Sequence, residues 1–580
     1  MSVPDVGRPA GRRLAFAAAG ALAAATAALW IASRGKWSDA LIDSGREWIV
    51  PDALSRGELL YRDVVYWVGP FTPYLHALWL RLFGSSFTTL AAAGTVESLA
   101  MLAALFLAVR LVAGRLQAVL WTALAIPVIV FMPNSGGVLI GMGYRHAATF
   151  SLLALTLVCG GRPTSRRDSE LAAAGGLCGL AGLCRTEWGI AALAAAVLGT
   201  AVRSGCRPGV LRRVLLLVGA ALLTFGAVVA AFAAAAGFDP VVREGHILLT
   251  GLPEETRRFL VAFSGIGDWR RGIWNALYSA GLWFGLFLAV RLLTGRRGDP
   301  ARTKNRLRGL GAVLFLLCLL ALLGGASGVF LWSGAPPLCL LSAILGIRRP
   351  GGRSSAVLAA FGSMGLLMSH RRIFHIGDSW YVGAPLLFAF VCVAALLRLA
   401  MASDREREPR VRLQGAVALT LGGLVALAFA MRFFQYANDS RVAIAGTHGF
   451  LSAEPNRAAQ IERLASVVRR QTRDGEGLVV FPEGEILNYL SGRPNPCRHK
   501  MSLPGYLTRD NEGDFLEELN RVRPAVIVVW RRLTVEYGPA FFGEDYGKNI
   551  RAWLDANYER RAASGGRYPE MVLYLARRPR

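Results

Sequence analysis

The densest early group of acids and bases follows the first apolar run, in the segment DSGREWIVPDALSRGELLYRD over 43–63. A carboxylate can remove a proton, an effect typically worth about 10²–10⁴-fold in rate. A guanidinium presents paired donors that match phosphate oxygens. The segment combines both groups and therefore predicts proton removal beside an anion. Its candidate residues are Asp43, Arg46, Glu47, Arg62 and Asp63.

Asp43 also has a purely structural interpretation. Aspartate is a good N-cap, and a helix over the following residues would accept it there. Glu47 would share a face of that helix, while Arg46 would pair with an acid and order the loop. Asp63 fits a loop organiser better than a base. On the residues alone, capping and catalysis both stay open for Asp43.

The composition is that of a membrane protein. Of the 580 residues, 54% are apolar and 18% are charged, and the mean hydropathy is +0.41. A soluble chain of this length carries more charge, and many apolar runs here are long enough to cross a bilayer. The predicted spans are 14–33, 88–112, 116–132, 144–160, 171–187, 189–203, 214–235, 276–292, 308–324, 328–347, 354–369, 382–400 and 414–434.

The formal charge of +26 does not indicate nucleic acid binding. The arginines cluster in short loops between apolar runs, which is the pattern that orients membrane proteins. An odd number of spans places these basic loops on one side, the cytoplasm, and everything after residue 436 outside. The predicted fold is mostly α, with about thirteen transmembrane helices over 1–435, a first outer loop over 34–87, and a small extracytoplasmic α/β domain over 436–580.

Two outer loops carry cations against this orientation rule. One is 236–275, and the other, HRRIFHIGDSWY over 370–381, holds Arg371 and Arg372. These side chains could contact lipid headgroups or bind an anion, and the sequence leaves both open. The His370, His375 and Asp378 side chains lack the spacing of a known zinc motif, so no metal site is predicted there.

The C-terminal region has a mixed, charged composition. The segments 477–481, 524–530 and 571–576 have the character of buried strands, and 456–471, 514–523 and 549–559 that of amphipathic helices. No nucleotide-binding motif follows a strand. The eight cysteines include no CxxC pair, so neither a zinc site nor a disulfide framework is expected.

The first loop resembles the GT-C class of integral membrane glycosyltransferases, specifically its protein O-mannosyltransferase and aminoarabinose-transferase branch (family 39-like). The motifs that carry this resemblance are DSGR, LSRGELLYRD and GPFTPYLHALWLRLFG, with the outer C-terminal domain. The resemblance implies a sugar donor linked to polyprenyl phosphate. It also implies that Asp43 is the essential acid of the first loop.

This chain departs from the family pattern at two points. Gly69-Pro70 stands where the aminoarabinose branch has Lys-Pro, so that phosphate contact must come from elsewhere. The second outer loop, PNSGGVLIGMGYRHA, lacks the acid that many GT-C enzymes use as a metal ligand. A divalent cation is therefore left open without support from this loop.

Further polar residues lie at predicted outer ends of spans. Arg145 could contact phosphate together with Arg62, Arg371 and Arg372. Glu187 follows Arg185 in CRTEWG, and the two could form a plain ion pair at a span end or line the donor cavity. Trp48, Tyr61, Tyr66 and Trp67 predict that two first-loop helices lie on the membrane, because such aromatics prefer the interface.

The predicted function is transfer of a sugar from a polyprenyl-phosphate-linked donor to an acceptor on the outer face of the membrane. The acceptor could be lipid, polysaccharide or protein. The expected location is a bacterial inner membrane, with the C-terminal domain in the periplasm or outside. A transporter or flippase of lipid-linked sugars is the alternative, although no internal repeat of the kind common in transporters is evident. A membrane scaffold would leave Asp43 unexplained.

Overall fold

The computed structural model describes residues 9–132, 143–161, 167–205, 208–244, 335–369, 383–402, 407–563 and 571–577, with single helical positions at 270 and 277. The predicted spans 276–292 and 308–324 lie essentially outside the described residues. So do Arg371 and Arg372 and the neighbouring His370, His375 and Asp378.

Helices dominate the described part of the chain up to residue 437. Four described stretches are long and apolar enough to cross a membrane, namely Phe16–Ser33, Phe87–Arg110, Val210–Ala236 and Val417–Ala437. The chain is therefore an integral membrane protein, while the number thirteen stays a prediction. The helices α1–α14 are Pro9–Ser33, Ser44–Ser55, Phe71–Phe83, Phe87–Arg110, Arg115–Ala125, Tyr144–Gly160, Arg167–Cys184, Thr186–Ser204, Val210–Ala236, Phe238–Glu244, Ala335–Arg348, Arg353–Met368, Gly383–Ala402 and Arg407–Ala437.

The two helices of the first loop differ in their surroundings. Helix α3 exposes Leu78, Leu82 and Phe83, as expected for a helix that lies at the membrane surface. Helix α2 is buried over almost its whole length, including Trp48, Val50 and Pro51. The prediction of an interfacial α2 was therefore wrong.

The C-terminal region contains a four-stranded sheet of order β3-β4-β6-β5. Strands β3 (Leu478–Phe481) and β4 (Val526–Trp530) are parallel, whereas β6 (Met571–Ala576) runs antiparallel to both β4 and β5 (Tyr558–Ala563). Two short strands, β1 (Val442–Ala443) and β2 (Ser452–Ala453), pair separately. The helices here are α15 (Pro455–Gln471), α16 (Ile486–Ser491), α17 (Glu512–Val522) and α18 (Lys548–Asn557).

The predicted strands β3, β4 and β6 and the predicted helices α15, α17 and α18 are confirmed. Strand β5 escaped prediction because its sequence, YERRAA, is polar and lacks an apolar run. It lies at the edge of the sheet, where one side needs no strand partner and charged side chains are common.

The C-terminal region packs directly on the first loop. The backbone N–H of Val65 donates to the Arg498 carbonyl at 3.1 Å, and Lys500 Nζ donates to Glu58 Oε2 at 2.9 Å. The rings of Trp67 and Tyr506 stack with centroids 3.6 Å apart and planes 8° from parallel. One apolar core cluster includes residues of both parts. The loop and the sheet domain are thus a single packed unit.

This packing overturns the predicted role of the four first-loop aromatics as interface anchors. Tyr61 and Tyr66 are buried. Trp48 Nε1 donates to Ser85 Oγ at 2.9 Å. Trp67 stacks on Tyr506 of the C-terminal domain. Amphipathic rings suit a protein interface as well as a membrane interface, and sequence alone does not distinguish the two surroundings.

Candidate functional site

The site begins in the turn that follows the first membrane span. Helix α1 ends at Ser33, and Asp39 Oδ1 then accepts hydrogen bonds from the N–H groups of Leu41 and Ile42 at 2.8 and 3.1 Å. Ser44 Oγ donates to the Asp39 carbonyl at 2.6 Å. These bonds close the turn tightly just before helix α2.

Asp43 occupies a strained position in this turn. Its φ of +67° lies in a region that non-glycine residues rarely adopt, and such strain clusters at functional sites. It holds the N-cap position of α2, yet its side chain makes no capping hydrogen bond. The capping interpretation thus gains no support from the side chain.

Asp43 instead forms one end of a buried charge group. Arg46 Nη2 lies 2.7 Å from Asp43 Oδ1, and Arg46 Nε lies 3.3 Å from Glu47 Oε1. The side chains of Asp43, Arg46 and Glu47 are 21%, 12% and 6% exposed, respectively. One guanidinium therefore bridges two carboxylates, and Asp43 is the more accessible of the two.

Two further carboxylates reach this group from the C-terminal domain. Glu483 and Glu485 follow strand β3, and Arg532 follows the neighbouring parallel strand β4. The carboxyl ends of parallel strands meet at one sheet edge, where open α/β folds bind ligands. Arg532 Nη1 forms a buried ion pair with Glu483 Oε1. Glu485 Oε1 is buried without a hydrogen-bond partner among the described residues.

A glycine makes the approach of the two segments possible. A Cβ on Gly45 would lie 2.5 Å from the Ile486 backbone nitrogen and 2.7 Å from the Glu485 carbonyl carbon. Real side chains do not approach backbone so closely, so only glycine fits here. The first turn of α2 and the loop after β3 are therefore in direct backbone contact.

Burial governs the ionisation of the C-terminal carboxyls. It raises the pKa of Glu485 from 4.5 to about 7. It also raises the pKa of Glu483 to about 8, although Arg532 acts to lower it, and the charge of Asp43 adds to the rise. Desolvation of a carboxylate disfavours its charged form. Burial therefore disfavours the charged form of both acids, and Arg532 offsets the charge that Glu483 retains, which limits repulsion of Asp43.

Two buried tyrosines interact electrostatically with Arg46. Burial raises the pKa of Tyr506 to about 12, and the positive charges of Arg46 and Arg185 moderate the rise. Burial likewise raises the pKa of Tyr66, with the same two arginines opposing it. Both phenols thus stay protonated and can donate hydrogen bonds at neutral pH. Arg185 and Arg46 therefore both act electrostatically on these two phenols.

The other candidates from sequence are distributed around this centre. Arg62 and Asp63 pair with each other at 2.7 Å on the exposed side of the loop, and Asp63 Oδ2 also accepts from the Leu59 N–H at 2.8 Å. Glu187 Oε1 lies 3.1 Å from Arg185 Nη1. Arg145 is buried in helix α6 and acts electrostatically on Glu97.

Sequence reasoning missed Glu483, Glu485 and Arg532. A signal existed, since each follows the carboxyl end of a segment predicted to be a buried strand. The segment FPEGE over 481–485 contains both acids, but nothing in the local sequence connects it to Asp43. Among the described residues, no group of three acids, histidines or cysteines is arranged to hold a metal ion.

A narrow, partly open and mostly apolar cleft lies beside the first loop. Tyr61, Pro70, Leu183 and Phe232 are among its lining residues. It lies between the loop and the helix α9, and its walls suit hydrocarbon better than a polar ligand.

No family model matches the chain, and no curated protein matches it. Solved structures that resemble it include ArnT from Cupriavidus metallidurans in the apo state, with 14% identity and a TM-score of 0.49 over 97% of this chain and 98% of that chain. The same protein bound to undecaprenyl phosphate gives 14% identity and a TM-score of 0.47, over 96% and 97% of the two chains.

An oligosaccharyltransferase from Archaeoglobus fulgidus, in complex with Zn and sulfate, is also similar. It has 16% identity and a TM-score of 0.49 over 88% of this chain and 68% of that chain.

The raised pKa of Glu485 predicts a pH-dependent stability. The folded state binds this proton more tightly than the unfolded chain, so stability falls as the pH rises from 4.5 through about 7. The difference corresponds to roughly 3 kcal/mol at most. Glu485→Gln should therefore melt at a less pH-dependent temperature between pH 5 and 8, as measured by intrinsic fluorescence in detergent.

The exposed acid Glu517 provides the control, since Glu517→Gln should retain the wild-type pH dependence. A Glu485→Gln curve that parallels the wild type over this range would show that Glu485 is ionised in the folded protein.

Proposed function

We propose that this protein is a membrane glycosyltransferase that moves a sugar from a polyprenyl-phosphate-linked donor to an acceptor on the outer face of the membrane. The observation that carries the proposal is the position of Asp43. This acid lies ten residues after a membrane span ends, in a strained backbone conformation, in a largely buried ion pair, and without a capping role. Strain and burial without a local structural use favour a chemical use.

The depth of the donor's reacting groups in the membrane explains why such an acid belongs at the end of a span. The lipid tail of the donor stays in the bilayer, so its phosphate and sugar stand at the interface. Asp43 takes the proton of the acceptor as the new bond to the sugar carbon forms. The bond from that carbon to the phosphate oxygen breaks, and its electron pair stays on the polyprenyl phosphate. Preorganised positive charge stabilises that anion.

Arg185 is the side chain that we assign to the leaving phosphate. Gly69 packs so closely on the end of α7 that a Cβ would lie 2.0 Å from the Leu183 carbonyl oxygen. The Gly69-Pro70 pair thus has no room for a lysine, and the chain places Arg185 one residue beyond Cys184 instead. The guanidinium of Arg185 lies 3.7 Å from the ring centroid of Tyr144, which restricts its orientation.

Polyprenyl-phosphate release tests the function directly. Purified protein in lipid nanodiscs is incubated with a panel of labelled polyprenyl-phosphate sugars, and the released lipid phosphate is measured by mass spectrometry. Release that depends on an added acceptor would support transfer. Movement of labelled donor between the leaflets of a vesicle without release would support the transporter instead.

The proposed location is the inner membrane of a bacterium, with the C-terminal domain in the periplasm. Two exposed positions test this placement, Asp474 in the C-terminal domain and Arg349 between α11 and α12. In intact spheroplasts, a membrane-impermeant maleimide should label Asp474→Cys and leave Arg349→Cys unlabelled until the membrane is opened. Wild-type protein supplies the background, and labelling of both or only of Arg349→Cys would contradict the topology.

A further inference from the structure

A second buried polar cluster connects three helices. His76 on α3 places Nε2 2.6 Å from Glu97 Oε1 on α4, and His146 Nε2 on α6 lies 3.4 Å from the same oxygen. The His76 and Glu97 side chains are 4% and 5% exposed. His146 Nδ1 makes a hydrogen bond with Thr72 Oγ1 at 3.1 Å.

Three polar atoms of this cluster are buried without a hydrogen-bond partner among the described residues. They are His76 Nδ1, Glu97 Oε2 and His146 Nε2. A buried polar atom without a partner costs free energy, and an ionisable side chain inside a membrane helix, such as Glu97 on α4, is by default a candidate functional residue. A cluster that only held the helices together would not require polar atoms that lack hydrogen-bond partners.

The arrangement of His76 matches that of an oriented base. Glu97 holds one ring nitrogen, as a carboxylate does in a catalytic triad, and this fixes the tautomer and direction of the ring. The other nitrogen, Nδ1, has no hydrogen-bond partner within the part of the chain that the structure describes. Helix α3 packs on α2, and the charges of His76 and Glu47 act on each other. Glu47 in turn contacts the guanidinium that binds Asp43.

We propose that His76, oriented by Glu97, receives through Glu47 the proton that Asp43 removes from the acceptor. This inference rests on the proposed glycosyl transfer. In the balanced sequence, the acceptor O–H or N–H bond breaks and its proton moves to the Asp43 carboxylate. The proton then passes to Glu47 and, by way of a bridging water molecule, to His76 Nδ1, which has no protein hydrogen-bond partner among the described residues. This transfer restores the Asp43 anion. The proton finally leaves to the polyprenyl phosphate or to water when the product departs.

The charges that face His76 set the pH at which it can accept a proton. They come from Glu47 on α2, Glu97 on α4, and Arg145 and His146 on α6, while Cys184 at the end of α7 faces Glu97. Burial alone would lower the pKa of His76, but Glu97 raises it above 6.5 and Arg145 opposes that rise. Since the relay needs a neutral imidazole ring to accept the proton, turnover should increase as the pH rises through the pKa of His76.

Two variants should move this acid limb of the kcat–pH profile in opposite directions. Glu97→Gln removes the negative charge that raises the pKa of His76, so the limb should move to lower pH. Arg145→Gln removes an opposing positive charge, so the limb should move to higher pH. His76→Gln should abolish this limb and lower kcat by about 10-fold, less than the ~10²-fold expected for a base that touches substrate, with the donor KM unchanged.

His499→Gln is the matched control, because His499 Nδ1 forms a similar buried pair with Glu518 Oε2 at 3.0 Å in the C-terminal domain. It should lower the melting temperature without moving the limb. Shifts of the limb in the same direction for Glu97→Gln and Arg145→Gln, or a His76→Gln profile that matches the wild type, would overturn the relay. If one charge variant does not fold, the other and His76→Gln decide. Wild-type protein without transfer would contradict the proposed function itself.

Discussion

Asp43→Asn should lower sugar transfer by about 10²-fold or more, while expression, membrane insertion and melting temperature stay close to those of the wild type. Asparagine has the shape of aspartate, tolerates a positive φ and caps helices equally well. It cannot accept the acceptor's proton. The measurement is acceptor-dependent release of polyprenyl phosphate by purified protein in nanodiscs, with circular dichroism as the test of folding.

Asp474→Asn is the control for this experiment. Asp474 Oδ1 lies 2.6 Å from Arg493 Nη1, so the variant also weakens an Asp–Arg pair, but in the C-terminal domain. It should transfer at the wild-type rate. Wild-type turnover in Asp43→Asn would remove Asp43 from the role of base and direct attention to Glu47 and then Asp63.

Gly45→Ala should both destabilise the protein and strongly reduce transfer. The new Cβ would meet only backbone atoms, those of Glu485 and Ile486, at 2.5–2.9 Å. No side chain can rotate away, so the loop after β3 must move and carry Glu483 and Glu485 away from Asp43. Overpacking of this kind typically costs about 1–3 kcal/mol. Melting temperature and polyprenyl-phosphate release would be measured together.

Gly513→Ala is the matched glycine control. Gly513 lies in the first turn of α17 with open space around its Cβ position, and alanine is the better helix former by about 1 kcal/mol. This variant should be as stable as the wild type or slightly more so, with unchanged transfer. Wild-type stability and transfer in Gly45→Ala would show that the two segments do not need to be in contact.

Much of the local structure is already determined by local patterns. Long apolar runs predicted the helices that cross the membrane, because a bilayer requires about twenty apolar residues in helical form. Short β-branched runs such as VIVVW predicted the buried strands β3, β4 and β6. The placement of Asp43 after the first span also follows from the order of residues along the chain. The pair between Asp43 and Arg46 is local too, because the two residues are three positions apart.

The surroundings of the first loop depended on the tertiary structure. Whether Trp48 and Tyr61 face lipid or protein is decided by what packs on them, which is Tyr489 of the C-terminal domain for Trp48 and Phe232 of α9 for Tyr61. Their own sequence is compatible with both surroundings. The same holds for α2, whose mixed sequence resembles an interfacial helix and which is buried by packing against α3 and against α16 of the C-terminal domain.

What the sequence by itself determined is a membrane protein with an acid and an arginine shortly after its first span. Apolar run length and residue order carry that information without any knowledge of the fold. Only the tertiary structure decided that Glu483, Glu485 and Arg532 join this pair. Contacts between these regions connect residues as far apart as Glu58 and Lys500, 442 positions along the chain. No local periodicity encodes such a contact, because it arises where a sheet edge meets a turn through shape and through a glycine small enough to let them touch.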